Sequence, residues 1–319
     1  MALAFVFPGQ GSQAIGMGRD LALAFPAARE VFQEVDDALG QHLAKLMWEG
    51  EPADLTLTAN AQPALMAVSI AVLRVLEREG NIDLAARVAL VAGHSLGEYS
   101  ALTAARSFGV ATAARLLRVR GEAMQAATPE GMGAMAALLG ADLEQARTLC
   151  ESVALDPETD ETEVIQTAND NGGGQIVISG HKGAIERAIA AASAAGIRRA
   201  MLLPVSAPFH SALMAPAAET MADALGAATI AAPVVPLVAN VTAAKVTEVA
   251  EIRRLLVEQV TGNVRWRECI AAMVAMGVTR FVELGAGKVL TGLMKRNAPE
   301  ATASALGTPA DIEAFLKTL

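Results

Sequence analysis

Apolar runs and helical periodicities alternate along the chain from its first residues. Leu3 to Phe7 is a short run rich in β-formers, closed by the turn Pro8-Gly9-Gln10-Gly11, and a helical pattern follows to about Leu46. A second helical block, Gln62 to Glu79, leads into Arg87 to Ala92, whose Val-Ala-Leu-Val-Ala suits a strand buried on both faces. Gly93-His94-Ser95-Leu96-Gly97 comes next, and then another helix. From about Gly133 the pattern changes. An apolar run to Leu139, a helix from Asp142, runs at Val164 to Ala168 and Gln175 to Ser179, a helix from Lys182 and a run from Arg199 to Val205 predict β-α-β-β-α-β, the ferredoxin-like order. This predicts a small domain over 129–205, bounded near Thr128-Pro129 and Pro204, inserted into a large domain of residues 1–128 and 206–319. Val234 to Asn240 and Arg280 to Leu284 return strands to the first sheet, so the class expected is α/β.

Composition agrees with that class and removes others. The 319 residues are 53% hydrophobic but only 3% aromatic, so Ala, Val, Leu, Ile and Met must fill the core, as where helices pack on a buried sheet. A formal charge of -9 without a Lys/Arg-rich run argues against nucleic-acid binding. Cys150 and Cys269 are the two cysteines, with no CxxC or ligand-like His spacing, so neither a disulfide framework nor a structural metal is expected and a reducing cytoplasm fits. No basic-apolar leader opens the sequence, and charge, Gly or Pro interrupts apolar stretches before roughly 18 residues, so no membrane span is expected.

The candidate chemistry starts at Ser95. GHSLG matches GxSxG, with an apolar strand before it and a helix starting at Gly97-Glu98 after it. Flanking glycines suit a nucleophile on a sharp, strained turn, where a β-carbon on either side would clash; the alternative is a plain Gly-rich strand-to-helix turn.

A serine nucleophile needs a base, and the chain offers four histidines. His42 lies in a polar helical stretch, His94 beside the serine with its side chain expected to point away, and His181 at a helix start with a surface or capping role. His210 lies in a proline-stiffened loop where the inserted domain rejoins the sheet, a place for a cleft; the alternative is a buried core histidine. Gln10, in the early Gly-rich turn, and Leu96, after the serine, fit the two backbone N–H positions of an oxyanion hole. Gly9-x-Gly11-x-x-Ala14 also resembles a dinucleotide fingerprint, but Arg29 to Leu39 is helical where a second strand ending in an acid is required.

On the helix from Ala113 to Met124, Arg120 falls in the middle of an apolar arc with Leu116, Leu117, Val119, Ala123 and Met124. Arg118 and Glu122 fall opposite, spaced to pair in solvent. A buried guanidinium must find an anion, either an internal carboxylate or a substrate, and Arg suits bidentate pairing with a carboxylate.

The motifs PGQGSQ at 8–13, GHSLGE at 93–98, Arg120-Gly121 and Pro208-Phe209-His210, with NDNGGGQ at 169–175 and ELGAGKVLTG at 283–292, together resemble the malonyl-CoA:acyl carrier protein transacylase family across essentially the whole chain. The resemblance implies an α/β-hydrolase-like large domain with a ferredoxin-like insertion. It implies transfer of malonyl from malonyl-CoA to the phosphopantetheine thiol of acyl carrier protein, by a ping-pong mechanism through malonyl-Ser95, in fatty-acid synthesis or a polyketide pathway. His210 is then the base, Gln10 and Leu96 offer oxyanion N–H groups, and Arg120 holds the malonyl carboxylate. Gln259 takes the position whose main-chain carbonyl orients the histidine in place of an acid. Phe209 resembles the residue of malonyl-selective members. Coenzyme A thioester and acyl carrier protein are the partners implied, with no cofactor, and a monomer is expected. A serine thioesterase or esterase using Ser95 and His210 is the enzymatic rival, which does not require Arg120; a catalytically silent carrier-binding subunit is the other.

Overall fold

In the computed structural model, which describes residues 2–318, the first strand is the centre of the molecule. β1 (Ala2–Phe7) turns Leu3, Phe5 and Phe7 to one apolar layer and Ala4 and Val6 to another, so the strand is buried on both faces. The remaining strands are β2 (Leu90–Gly93), β3 (Gly133–Leu139), β4 (Ile165–Gly172), β5 (Gln175–His181), β6 (Arg199–Leu202), β7 (Leu237–Val238), β8 (Lys245–Val246), β9 (Val278–Leu284) and β10 (Thr302–Leu306). The large sheet has the order β10-β9-β1-β2-β7-β8, parallel except for the β7–β8 hairpin. Helices cover both faces. One is Thr58–Glu79, buried along most of its 22 residues, and the other face is closed by Trp266, Ile270 and Met273.

The second sheet has the order β4-β5-β3-β6, antiparallel throughout, which is the ferredoxin-like arrangement. Alternate residues of β3 and β5 divide its two faces. Ala136, Leu138, Ile176 and Ile178 pack under the helices Leu143–Val153 and Lys182–Ala191, whereas Met135 and Val177 join the large core. Hydrogen bonds along β4 join this sheet to the segment between the helices Val249–Thr261 and Trp266–Ala275 that pack on the large sheet: Asp170 N–H donates to Val264 O (2.9 Å) and Val264 N–H to Ala168 O (2.8 Å). An ion pair from Arg267 to the buried Asp170 (2.8 Å) closes the same seam.

Several elements differ from the patterning. The helical stretch to Leu46 is three helices, Arg19–Ala24, Pro26–Leu39 and Leu43–Glu49, because Phe25-Pro26 and Gly40 interrupt it. The second helix begins at Thr58, before Gln62, and continues past Pro63. Leu84–Arg87 is a helical turn and the strand begins only at Leu90. Val234 to Asn240 contributes two strand residues, since Pro236 has no N–H to place in a ladder. The edge strand β10 has no strong sequence pattern and pairs in parallel beyond β9. Thr58–Glu79 is the one helix among the described residues long and apolar enough to cross a membrane, at mean hydropathy 1.4 over its most apolar 18 residues, and 89% of those are buried in the protein.

Candidate active site

β2 ends at Gly93 and the helix Gly97–Ala104 begins four residues later, so Ser95 stands on a tight strand-to-helix turn with φ +53°. The flanking glycines are required by contact. A β-carbon on Gly93 would lie 1.9 Å from the Gly97 carbonyl carbon, and one on Gly97 would lie 2.2 Å from Phe7 O. The turn is tied from within and without: Ser95 N–H donates to Asn240 Oδ1 (2.8 Å), and Gly97 N–H to His94 O. Leu96 N–H is left without a protein acceptor among the described residues.

His210 Nε2 lies 2.8 Å from Ser95 Oγ. The ring's other nitrogen, Nδ1, is 2.8 Å from Gln259 O and 3.2 Å from Gly262 O, at the end of the helix Val249–Thr261. Carbonyl oxygens only accept, so Nδ1 carries the proton and Nε2 is free to accept one from the serine hydroxyl. Burial pushes His210 down to about 3, and the nearby Arg120 charge adds to the shift, so the ring is neutral at physiological pH.

Arg120, on the helix Val110–Ala126, is 1% exposed and forms no ion pair among the described residues. It donates to Gln62 Oε1 (2.7 Å), Gln259 Oε1 (3.0 Å) and Ser95 Oγ (3.2 Å). The internal carboxylate that sequence reasoning allowed is present one step away. Glu98, also 1% exposed, accepts from Gln259 Nε2 (3.0 Å) and Asn240 N–H (2.9 Å), and burial raises its pKa to about 7. The Gln259 side chain thus bridges cation and acid while its main chain holds His210.

Gln10, Leu96, Arg120, Ser95 and His210 all line one cleft of about 580 Å³ between the two sheets. Gln259 stands behind it, fully buried. Of the other histidines, His94 also lines the cleft but makes no contact with Ser95 Oγ, and His42 and His181 lie outside it. His94 turns to Asn171 Oδ1 (2.8 Å), and His42 is exposed near Asp36. His181 caps a loop rather than its helix, accepting Val164 N–H at Nδ1 (2.8 Å). Arg118 does not pair with Glu122 but donates to Asn60 Oδ1 (2.9 Å) and to Gln41 Oε1, because a neighbouring helix and the connection after Leu39 put amides within its reach. Gln62, Asn240 and Gly262 were not legible as site residues. Glu98 carried a signal, since it ends the GHSLGE motif. No cluster of three or more His, Cys, Asp or Glu suited to a metal occurs among the described residues.

Fold and site together define an α/β protein whose interdomain cleft gathers a hydroxyl, a neutral imidazole and an unpaired guanidinium, the groups with which acyl transfer can be carried out. The acyl transferase domain family matches residues 4–310. The chain is 46% identical over 313 residues to the malonyl CoA-acyl carrier protein transacylase of Salmonella typhimurium, covering 98% of each. The crystal structure of an acyl-carrier-protein-S-malonyltransferase from Bartonella henselae, 55% identical, superimposes with a TM-score of 0.94 over 100% of this chain and 99% of that one. A type II PKS acyl-carrier protein in complex with its malonyl-transacylase matches at 41% identity and TM-score 0.94, covering 100% of both chains. The chain therefore belongs to the acyl transferase family, among the malonyl CoA-acyl carrier protein transacylases, and is an acyltransferase.

Proposed function

We propose that the protein transfers malonyl from malonyl-CoA to the phosphopantetheine thiol of acyl carrier protein by a ping-pong route. Ser95 Oγ gives its proton to His210 Nε2 and forms a bond to the thioester carbonyl carbon. Leu96 and Gln10 N–H groups receive the oxyanion. Collapse breaks the C–S bond, and the proton on Nε2 goes to the departing coenzyme A thiolate. The carrier thiol then gives its proton to the same nitrogen and attacks malonyl-Ser95; the Oγ–acyl bond breaks and the proton on Nε2 returns to Ser95 Oγ. A neutral His210 is the state this sequence needs, and the Gln259 and Gly262 carbonyls stabilise the imidazolium formed in passing. No carboxylate serves as the third member, since a thioester is already an activated acyl donor.

The observation that carries the substrate is Arg120: a buried cation 3.2 Å from the serine oxygen, held by amide oxygens and free to take a carboxylate. A neutral-acyl thioesterase has no use for it. Residues 129–205 act as an inserted unit forming one wall of the cleft, and the working setting is a monomer in the cytoplasm. In this reading the transfer supplies fatty-acid synthesis, and the 41%-identical match to a complex with a type II PKS acyl-carrier protein supports the same chemistry in a polyketide pathway. Incubation with malonyl-CoA alone, followed by intact-mass and peptide analysis, should add one malonyl mass at Ser95. Release of free malonate from a protein that never carries the adduct would replace the transferase reading with a hydrolase.

A further inference from the structure

We infer that Gln166, contributed by the inserted sheet, is a positioning residue for His210. The inference rests on His210 being the base. His210 has φ +57°, a left-handed conformation that is strained for a residue with a β-carbon, so its surroundings must hold it. Gln166 makes the holding contacts. Its Nε2 donates to His210 O (3.4 Å) and Thr261 O (3.3 Å), and its Oε1 accepts from Ala212 N–H (3.0 Å).

Thr261 ends the helix whose adjoining carbonyls, Gln259 O and Gly262 O, accept from His210 Nδ1. One amide therefore ties together the backbone of the base and the backbone of its acceptors, the two halves of the bond that sets tautomer and ring direction. Gln166 is itself fixed by its place on β4, opposite Ser179, and by Asn263 Nδ2 donating to the next residue at Thr167 O (3.1 Å) and Oγ1 (3.0 Å). The inserted sheet thus does more than wall the cleft; its seating on the large domain sets the alignment of Ser95 and His210.

The test uses Gln166→Met, which keeps the shape and removes both donor and acceptor, and Gln166→Glu, which keeps the acceptor but turns an oxygen toward two carbonyls. Single-turnover acylation by malonyl-CoA is measured for each, with KM, in the wild-type and the His210→Ala backgrounds. We expect acylation to slow ~10-fold at unchanged KM, the scale of one ordinary hydrogen bond's worth of alignment. Gln166→Glu should be no better than Gln166→Met, and neither should cause further loss once His210 is gone. Wild-type acylation rates in both variants, or the same fold-loss with and without His210, would overturn the inference. If one variant does not fold, the other carries the test. A normal acylation rate in His210→Ala alone would instead overturn the base assignment, so the two failures are distinguishable.

Discussion

A guanidinium cannot shed its proton, so burying Arg120 among two glutamine oxygens and a serine hydroxyl leaves a full charge that protein dipoles stabilise only in part. In the proposed function the malonyl carboxylate completes that site. Arg120→Ala should lower kcat/KM for malonyl-CoA by roughly 30-fold or more, about 2 kcal/mol, while acetyl transfer is spared or improves. Equal loss with both donors would make Arg120 a structural residue. For His210→Ala, rapid-quench acylation should slow by about 100-fold or more, the ordinary weight of a general base; an unchanged rate removes it from the mechanism. The His210 pKa also links to stability. Between pH 6.5 and about 3 the unfolded chain binds a proton at this ring that the folded chain does not, so stability is lost as pH falls through that window. Glu98, raised to about 7, acts oppositely: its contribution is present below pH 4.5 and is lost as pH rises toward 7. Urea midpoints of His210→Gln should therefore decline less steeply than those of wild type between pH 6.5 and 4; parallel curves would contradict the depressed pKa.

At the scale of elements, close approach of two helices places the guanidinium. A β-carbon on Gly121 would lie 2.6 Å from Ala59 Cα and 2.7 Å from Thr58 O, both backbone atoms that no rotamer change can move aside. The helices carrying Arg120 and Gln62 therefore pack at a distance only glycine permits. Gly121→Ala should destabilise by about 1–3 kcal/mol in urea melts and weaken malonyl-CoA binding as Arg120 and Gln62 separate. An unchanged midpoint and KM would show that the helices slide apart freely. The serine turn was legible in the sequence because strand, glycines and helix are all local. Arg120 was legible because one charged position interrupts an apolar arc of period 3.6. Neither signal names a partner. Gln62 lies 58 residues from Arg120, and Asn240 lies 145 residues from Ser95, distances over which no sequence periodicity carries information.

For the whole molecule, the seam between the two sheets is the feature on which the site depends. Asp170 is nearly fully buried and pairs with the half-exposed Arg267, so solvent screens part of the attraction, yet the acid would be costly to leave alone. Asp170→Ala should cost about 1–2 kcal/mol, with amide exchange rising along β4 before the rest of the protein. Acylation should fall alongside, because Gln166 and Thr167 sit on the same strand. Exchange unchanged at β4 would mean that the backbone bonds to Val264 hold the seam without the ion pair.

Much of the architecture was determined by the sequence alone. Period-2 and period-3.6 patterning specify an α/β sheet interrupted by a β-α-β-β-α-β segment, since burial on one or both faces of each element must be written into neighbouring residues. GxSxG, the four-histidine census and the arginine on an apolar arc likewise need only local order. Tertiary structure alone decided that Ser95 Oγ and His210 Nε2 meet at 2.8 Å, that Nδ1 holds its proton against two carbonyls, and that Glu98 reaches Arg120 only through Gln259. Those facts depend on how separately encoded elements pack, because a hydrogen bond is set by tenths of an ångström in space and not by spacing along the chain.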